Sequence, residues 1–135
     1  MGVLYVTSQK QNSGKTTLSA ALASLLIDRG KVVDIAKPFS GNRTLEEGDR
    51  FNFSKLLDGD YSLQNEQSLD AAIASIKESS SKHEFVIVEA LSSMPVEDQV
   101  SFVEEIKARA LIVSIPSTIE SDADFASGFG SSVCG

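Results

Sequence analysis

Two hydrophobic rhythms alternate along the chain. Short unbroken apolar runs occur at Val3-Leu4-Tyr5-Val6, around Val32, Val33 and Ile35, at Phe85-Val86-Ile87-Val88 and at Leu111-Ile112-Val113. Runs of this length and β-branched content predict strands buried on both faces. Between them, apolar residues recur every third or fourth position, the spacing of one helical face. Leu18, Ala21, Leu22, Leu25 and Leu26 form the first such face, and Gly30 is placed to end its helix. Leu69, Ala72, Ile73 and Ile76 form a second, which the serines at 79, 80 and 81 are expected to end in a polar turn. Val96, Val100, Val103 and Ile106 form a third. It starts at Pro95, with Glu97 and Asp98 in the first turn to suit the positive end of the helix dipole. Lys37-Pro38 stops the second strand, and Pro116 stops a fourth expected over residues 111–115. Residues 39–60 are the least regular, broken at Gly41-Asn42 and Gly48. A short helix is expected there over residues 49–57, with Phe53, Leu56 and Leu57 inward. The tail through Gly128 and Gly130 reads as helix or loop, and Ser132-Val133-Cys134 as the first step of another strand.

Continuously apolar strands alternating with helices mean an α/β chain: a mostly parallel sheet covered on both faces, in three layers. The first strand–helix–strand unit is expected to cross over right-handedly. The 135 residues fit one domain, spanning 1–135, large enough to bury roughly two thirds of its unfolded surface. Because the chain stops at Gly135 just as a further strand begins, it is expected to be shortened at its C-terminal side or to lack a following domain.

Charge and composition narrow the function classes. A net charge of -7 argues against nucleic acid or an anionic membrane as the main partner. The single cysteine, Cys134, cannot form an internal disulfide, which fits a reducing compartment. Neither a signal peptide nor an apolar run of about 20 residues is present, so the expected location is cytoplasmic. No cluster of Cys and His exists for zinc, and no Gly-x-Ser-x-Gly elbow for a serine hydrolase. Asp58-Gly59-Asp60 reads as a turn and not as a calcium loop, and His83 as a surface residue.

The chemistry concentrates between the first strand and the first helix. Gln9-Lys10-Gln11-Asn12-Ser13-Gly14-Lys15-Thr16 matches the last three positions of the phosphate-loop pattern Gly-x-x-x-x-Gly-Lys-Ser/Thr, with Gln9 in place of the first glycine. A phosphate tail needs several backbone N–H groups turned into one concavity, and the following helix adds its dipole. Asn12, Ser13, Gly14, Lys15, Thr16 and Thr17 are therefore the candidate nucleotide-binding residues. Gly14 lets the backbone approach the phosphate, Lys15 sets a cation on its outer oxygens, and Thr16 offers a hydroxyl to Mg2+. A helix N-terminus with an exposed lysine is the plainer alternative. Glu89 closes the third strand. In a parallel sheet it shares an edge with the phosphate loop, which makes it the candidate metal carboxylate, with Asp49 a second candidate.

Together, Val6-Thr7-Ser8, Gly14-Lys15-Thr16-Thr17, Lys37-Pro38 and Val88-Glu89 resemble the dethiobiotin synthetase-like branch of P-loop NTPases. That domain also occurs at the N-terminus of some phosphate acetyltransferases and in cobyrinic acid synthases. The resemblance implies a P-loop NTPase fold, ATP and Mg2+ as cofactors, Lys15 and Lys37 as catalytic lysines with Lys37 holding a small anionic substrate, and Asp49 as a further metal ligand. Ala90 stands where that branch has the glycine of Val-Glu-Gly, and the branch's later strands lie beyond this chain's length. The partition and septum-positioning ATPases are similar in part. Lys10 occupies the place of the lysine that reaches across their dimer, while Gln11 and Asn12 replace two of their glycines.

Three functions follow as expectations. The first is phosphoryl transfer from ATP that activates a small carboxylate. The second is a non-catalytic nucleotide-sensing or regulatory module. The third is a nucleotide-switched homodimer.

Overall fold

The computed structural model describes residues 2–10, 14–39, 68–91 and 93–135. Asn12, Ser13, Asp49 and the short helix expected over residues 49–57 lie outside the described residues. Four parallel strands, β1 (Gly2–Thr7), β2 (Val33–Ala36), β3 (Phe85–Glu89) and β4 (Arg109–Ile112), form one sheet in the order β2-β3-β1-β4. Four helices connect or follow them: α1 (Lys15–Asp28), α2 (Leu69–Lys82), α3 (Val96–Glu105) and α4 (Ile119–Ser127).

Strand parity divides the core in two. Side chains alternate across a sheet, so residues two apart share a face. Val6, Val33, Ile35 and Ile87 lie together with Ala23, and Leu18, Leu22 and Leu26 pack on them from α1. Tyr5, Val86, Val88 and Ala110 form the opposite face, covered by Ala72 and Ile76 of α2, Phe102 and Val103 of α3, and Phe129 beyond α4. The three expected layers result, α1 on one side and α2, α3 and α4 on the other. Among the described residues no helix is long and apolar enough to cross a membrane.

Several local expectations shift. The buried stripe of α1 runs through Ser19 and Ala23, while Ala21 and Leu25 face outward, Leu25 being 48% exposed. The small Ser19 and Ala23 side chains let the helix axis approach the sheet, which rotates the stripe away from the leucine-rich line. Gly30 does end α1. It takes φ 75°, with Gly30 N–H donating to Ile27 O at 2.8 Å and Lys31 N–H to Leu26 O at 3.0 Å, the paired bonds of a Schellman cap. The serines at 79, 80 and 81 do not break α2, which continues to Lys82. Ser80 and Ser81 donate back to Lys77 O and Glu78 O, so their hydroxyls bond within the helix instead of ending it. Ser79 donates to Asp34 of β2, and its carbonyl lies 2.9 Å from Nδ1 of His83, a residue that is half-buried and not on the open surface. Strand β4 starts two residues earlier than expected, at Arg109, and its pairing with β1 ends where Val113 N–H reaches Thr7 O at 2.8 Å. The expected further strand begins as a parallel bridge between Val133 and Ala110.

A polar side chain sits unannounced in the core. Gln99 of α3 is fully buried, and its Oε1 accepts from Thr7 Oγ1 at 2.6 Å and Tyr5 Oη at 3.2 Å. Its Nε2 donates to Met94 O at 2.8 Å. Burial pushes the Tyr5 hydroxyl well above its ordinary pKa, so it stays a donor. Gln99 thus ties the end of β1 to the segment that follows β3. Gln99→Leu strands two buried hydroxyls and one carbonyl, and is expected to lower unfolding free energy by about 2–4 kcal/mol in urea denaturation. A loss under about 0.5 kcal/mol would show that these bonds add no net stability.

Candidate functional site

All four strands point their C-terminal ends to one edge of the sheet, and β1 lies between β3 and β4 there. After Thr7 the chain passes the buried Ser8 and enters α1 at Lys15. Gly14 makes that turn with φ 96° and ψ 14°, a left-handed conformation that L side chains rarely adopt. The first helical bond runs from Leu18 N–H to Gly14 O at 2.9 Å. The amides of Lys15, Thr16 and Thr17 therefore lack partners within the helix, and the capping residue, Gly14, has no side chain to bond them. A helix start of this kind attracts anionic oxygen.

The lysine is folded into the site. Lys15 is only 7% exposed, and its Nζ donates to Ser8 Oγ at 3.1 Å; Ser8 in turn donates to Lys10 O at 2.6 Å. Burial pulls the Lys15 ammonium below its ordinary pKa. The Glu89 carboxylate opposes this shift and the Lys37 charge adds to it.

Parity and register bring the carboxylate to the same place. Phe85, Ile87 and Glu89 share the α1 face of β3, as Val33, Ile35 and Lys37 share that face of β2 and its continuation. Ala36 pairs with Val88, so Lys37 falls beside Glu89. Glu89 is 3% exposed. Its Oε1 accepts from Thr16 Oγ1 at 2.6 Å and lies 3.5 Å from Lys37 Nζ. Its Oε2 is buried with no hydrogen-bond partner among the described residues. A buried carboxylate oxygen left in that state is costly unless a ligand completes it. A hydroxyl and a carboxylate, both hard oxygen donors, fit Mg2+, which takes few protein ligands and fills the rest with water and phosphate oxygens. The described residues hold no group of three or more His, Cys, Asp or Glu side chains suited to a metal, so any such ion would rely on that shared coordination.

Of the residues expected from sequence, Gly14, Lys15, Thr16, Lys37 and Glu89 thus meet at one edge. Thr17 lies exposed in the first turn of α1. Asn12, Ser13 and Asp49 lie outside the described residues. Two further polar residues had been given no role of their own. Ser8, quoted above only as the end of the first strand's motif, is buried against Lys15. Asp122 of α4 accepts from Ser114 Oγ at 2.7 Å and Thr118 Oγ1 at 2.5 Å. The Thr118 and Ser114 hydroxyls hold its carboxyl below the usual carboxylate range, with help from the charge of Lys10 in the loop. That helix was expected only as helix or loop, which gave Asp122 no location.

No protein-family model and no curated protein matches the chain. Solved structures do. The cell division protein FtsY of Thermotoga maritima superposes with a TM-score of 0.72 at 17% identity, covering 98% of this chain and 49% of that one. The signal recognition particle receptor FtsY of Elizabethkingia anophelis, in complex with GDP, gives 0.66 at 16% identity over 98% of this chain and 46% of that one. The BceF tyrosine kinase domain gives 0.59 at 15% identity, over 97% and 65%. The chain therefore has the P-loop NTPase fold, and it spans about half the length of the FtsY structures it matches.

Two outcomes test this geometry. Among the described residues a Cβ at Gly14 meets nothing within 4 Å, so there Gly14→Ala costs its left-handed backbone, about 1–2 kcal/mol by urea denaturation, and Gly14→Asn costs less. Equal stability of all three would contradict that conformation. The lowered Lys15 pKa means that the unfolded chain holds more protons between the folded value and 10.5. The Lys15 contribution to stability therefore rises with pH in that window. The difference in unfolding free energy between wild type and Lys15→Met, followed upward from about pH 7, is expected to move in favour of the wild type. A flat difference would contradict it.

Proposed function

We propose that this edge binds the phosphates of a nucleoside triphosphate together with Mg2+. The observation that carries the reading is the 2.6 Å contact between Thr16 and the buried Glu89, set beside Lys15 at the uncapped start of α1. Lys15 and the amides of residues 14–17 would neutralise and orient the outer phosphates. Thr16 and Glu89 would hold the ion, which supplies charge neutralisation at the transferring phosphoryl group. Ser8, by accepting from Lys15, fixes where that ammonium sits.

The finer reading is of the dethiobiotin synthetase-like type. An oxygen of a small carboxylate attacks the terminal phosphorus, the bond to the diphosphate breaks, and a mixed anhydride forms. The support for it is Lys37, a cation held within 3.5 Å of Glu89 on the phosphate side of the sheet and 13% exposed, where an anionic acceptor has to lie. ATP is the nucleotide expected from the resemblance. One structural neighbour was solved with GDP, so both bases belong in the test.

Titration calorimetry with Mg-ATP and Mg-GTP is expected to show binding of one or both. Lys15→Ala should weaken it on the order of a hundredfold, the weight of a charge-assisted contact. Thr16→Val should weaken it with Mg2+ and much less in EDTA, because its hydroxyl serves the ion. Absence of binding of either nucleotide to the wild type, with or without Mg2+, would end the proposal.

A further inference from the structure

One buried side chain joins two of the segments that carry the site. Gln99 of α3 is fully buried and meets β1 on the face opposite α1. Its Oε1 accepts from Thr7 Oγ1 at 2.6 Å, and its Nε2 donates to Met94 O at 2.8 Å. Thr7 is the last residue of β1. Ser8, next in the chain, turns by strand alternation to the α1 face, where it accepts from Lys15 Nζ at 3.1 Å. Met94 closes the turn after Glu89, where its N–H donates to Leu91 O at 3.0 Å. Ala90 N–H donates to Val6 O at 2.9 Å, so this turn leaves β3 directly beside the end of β1. One turn along α3, Phe102 packs edge-on against Tyr5 and against Phe39, with ring centroids 5.9 and 5.7 Å apart. Phe39 lies two residues past Lys37. The end of β1 and the chain beyond β2 and β3 thus share one support on the far side of the sheet.

We infer that Gln99 is a positioning residue of the phosphate site: its two-ended amide locks the end of β1 to the turn after Glu89, and so sets where Ser8, and with it Lys15, stands relative to the Glu89 carboxylate. This rests on the phosphate-binding reading above and adds a determinant that touches neither phosphate nor metal. Strand pairing holds β1 as far as Thr7, whose carbonyl accepts from Val113 N–H at 2.8 Å. Beyond that bond the chain leaves the sheet, and the side-chain tie to Gln99 bears on the residue where it does so. Gln99, with an acceptor and donors at one tip, serves both segments at once. Binding groups need placement to within about 0.5 Å, and bonds of this kind supply it.

Gln99→Glu tests the role because the tie can then be switched. Protonated, the introduced carboxyl is nearly isosteric with the amide. Its carbonyl accepts from Thr7 and Tyr5, and its O–H donates to Met94 O. Ionised, it has no hydrogen to give and sets a negative oxygen against that carbonyl. Full burial raises its pKa by up to about 3–5 units, which brings the change between about pH 5 and 9. Tyr5, the titratable group in contact with it, is pushed by burial well above its ordinary value and stays a donor throughout.

The probe is inorganic pyrophosphate with Mg2+, titrated calorimetrically near the two ends of that window, with circular dichroism to verify the fold. Each affinity is taken relative to the wild type at the same pH, which cancels the titration of pyrophosphate itself. Gln99→Glu is expected to equal the wild type at the acidic end and to bind about tenfold more weakly at the basic end, the weight of a residue that orients others. Equal affinity of the folded proteins at both ends overturns the inference and leaves the phosphate reading standing. If pyrophosphate does not bind the wild type, the phosphate reading fails and amide NMR decides the inference. Across the same pH range the Ser8 and Lys15 signals of Gln99→Glu should then move with one midpoint that the wild type lacks; signals that stay in place overturn the inference. Should Gln99→Glu unfold at the basic end, Gln99→Met, uncharged and of similar volume, takes its place. Binding about tenfold weaker than wild type then supports the tie, and equal binding overturns it.

Discussion

A charged carboxylate buried to 3% exposure has to be matched, and the C-terminal edge of this sheet is arranged around that need. Moving an ion of this kind out of water costs on the order of several kcal/mol even after the protein relaxes. Glu89 meets that cost with a threonine hydroxyl from the first turn of α1 and a lysine from the end of β2, leaving one oxygen open. Neither partner is close to it in sequence. They arrive because β1, β2 and β3 are parallel, start and stop in step, and present alternate residues to the same helix. The left-handed Gly14 completes the arrangement by sending the chain sharply into α1, so that Lys15 and Thr16 fall over the strand ends. A phosphate tail with its metal ion would satisfy each of these groups at once.

The same arithmetic of two explains what could be read from the sequence. Val3 to Val6, Phe85 to Val88 and the run around Val33 and Ile35 are apolar without interruption, so their burial on both faces was legible. Glu89 and Lys37 were legible as strand-end charges. Their side-by-side placement needed the β2–β3 register, which an isolated strand does not carry. Helix positions were legible where hydrophobic spacing was clean, as at Leu69, Ala72, Ile73 and Ile76. The face of α1 was less so, because close packing is set by the small Ser19 and Ala23 and not by the leucines. The serines at 79 to 81 misled because their hydroxyls can bond inside a helix as readily as they end one.

Polar contributions that depend on tertiary approach were not legible. Gln99 looks like a solvent-facing helical residue until Tyr5 and Thr7 are seen to donate to it from the neighbouring strand. Ser8 gains meaning only when Lys15 folds back across it, and Asp122 only when the β4–α4 junction lies beside the loop carrying Lys10. Structures at 15–17% identity share the fold.

Backbone amides report most directly on whether this edge is a cradle for anionic oxygen. In a proton–nitrogen correlation spectrum titrated with inorganic pyrophosphate, the signals of Gly14, Lys15, Thr16 and Thr17 are expected to move together and saturate at one common concentration. The amides that begin α3, at the opposite side of the sheet from α1, should stay in place. If residues 14–17 do not move at high pyrophosphate, or move no more than the start of α3, the helix start holds no phosphate, and the convergence of Lys15, Thr16, Lys37 and Glu89 is structural alone.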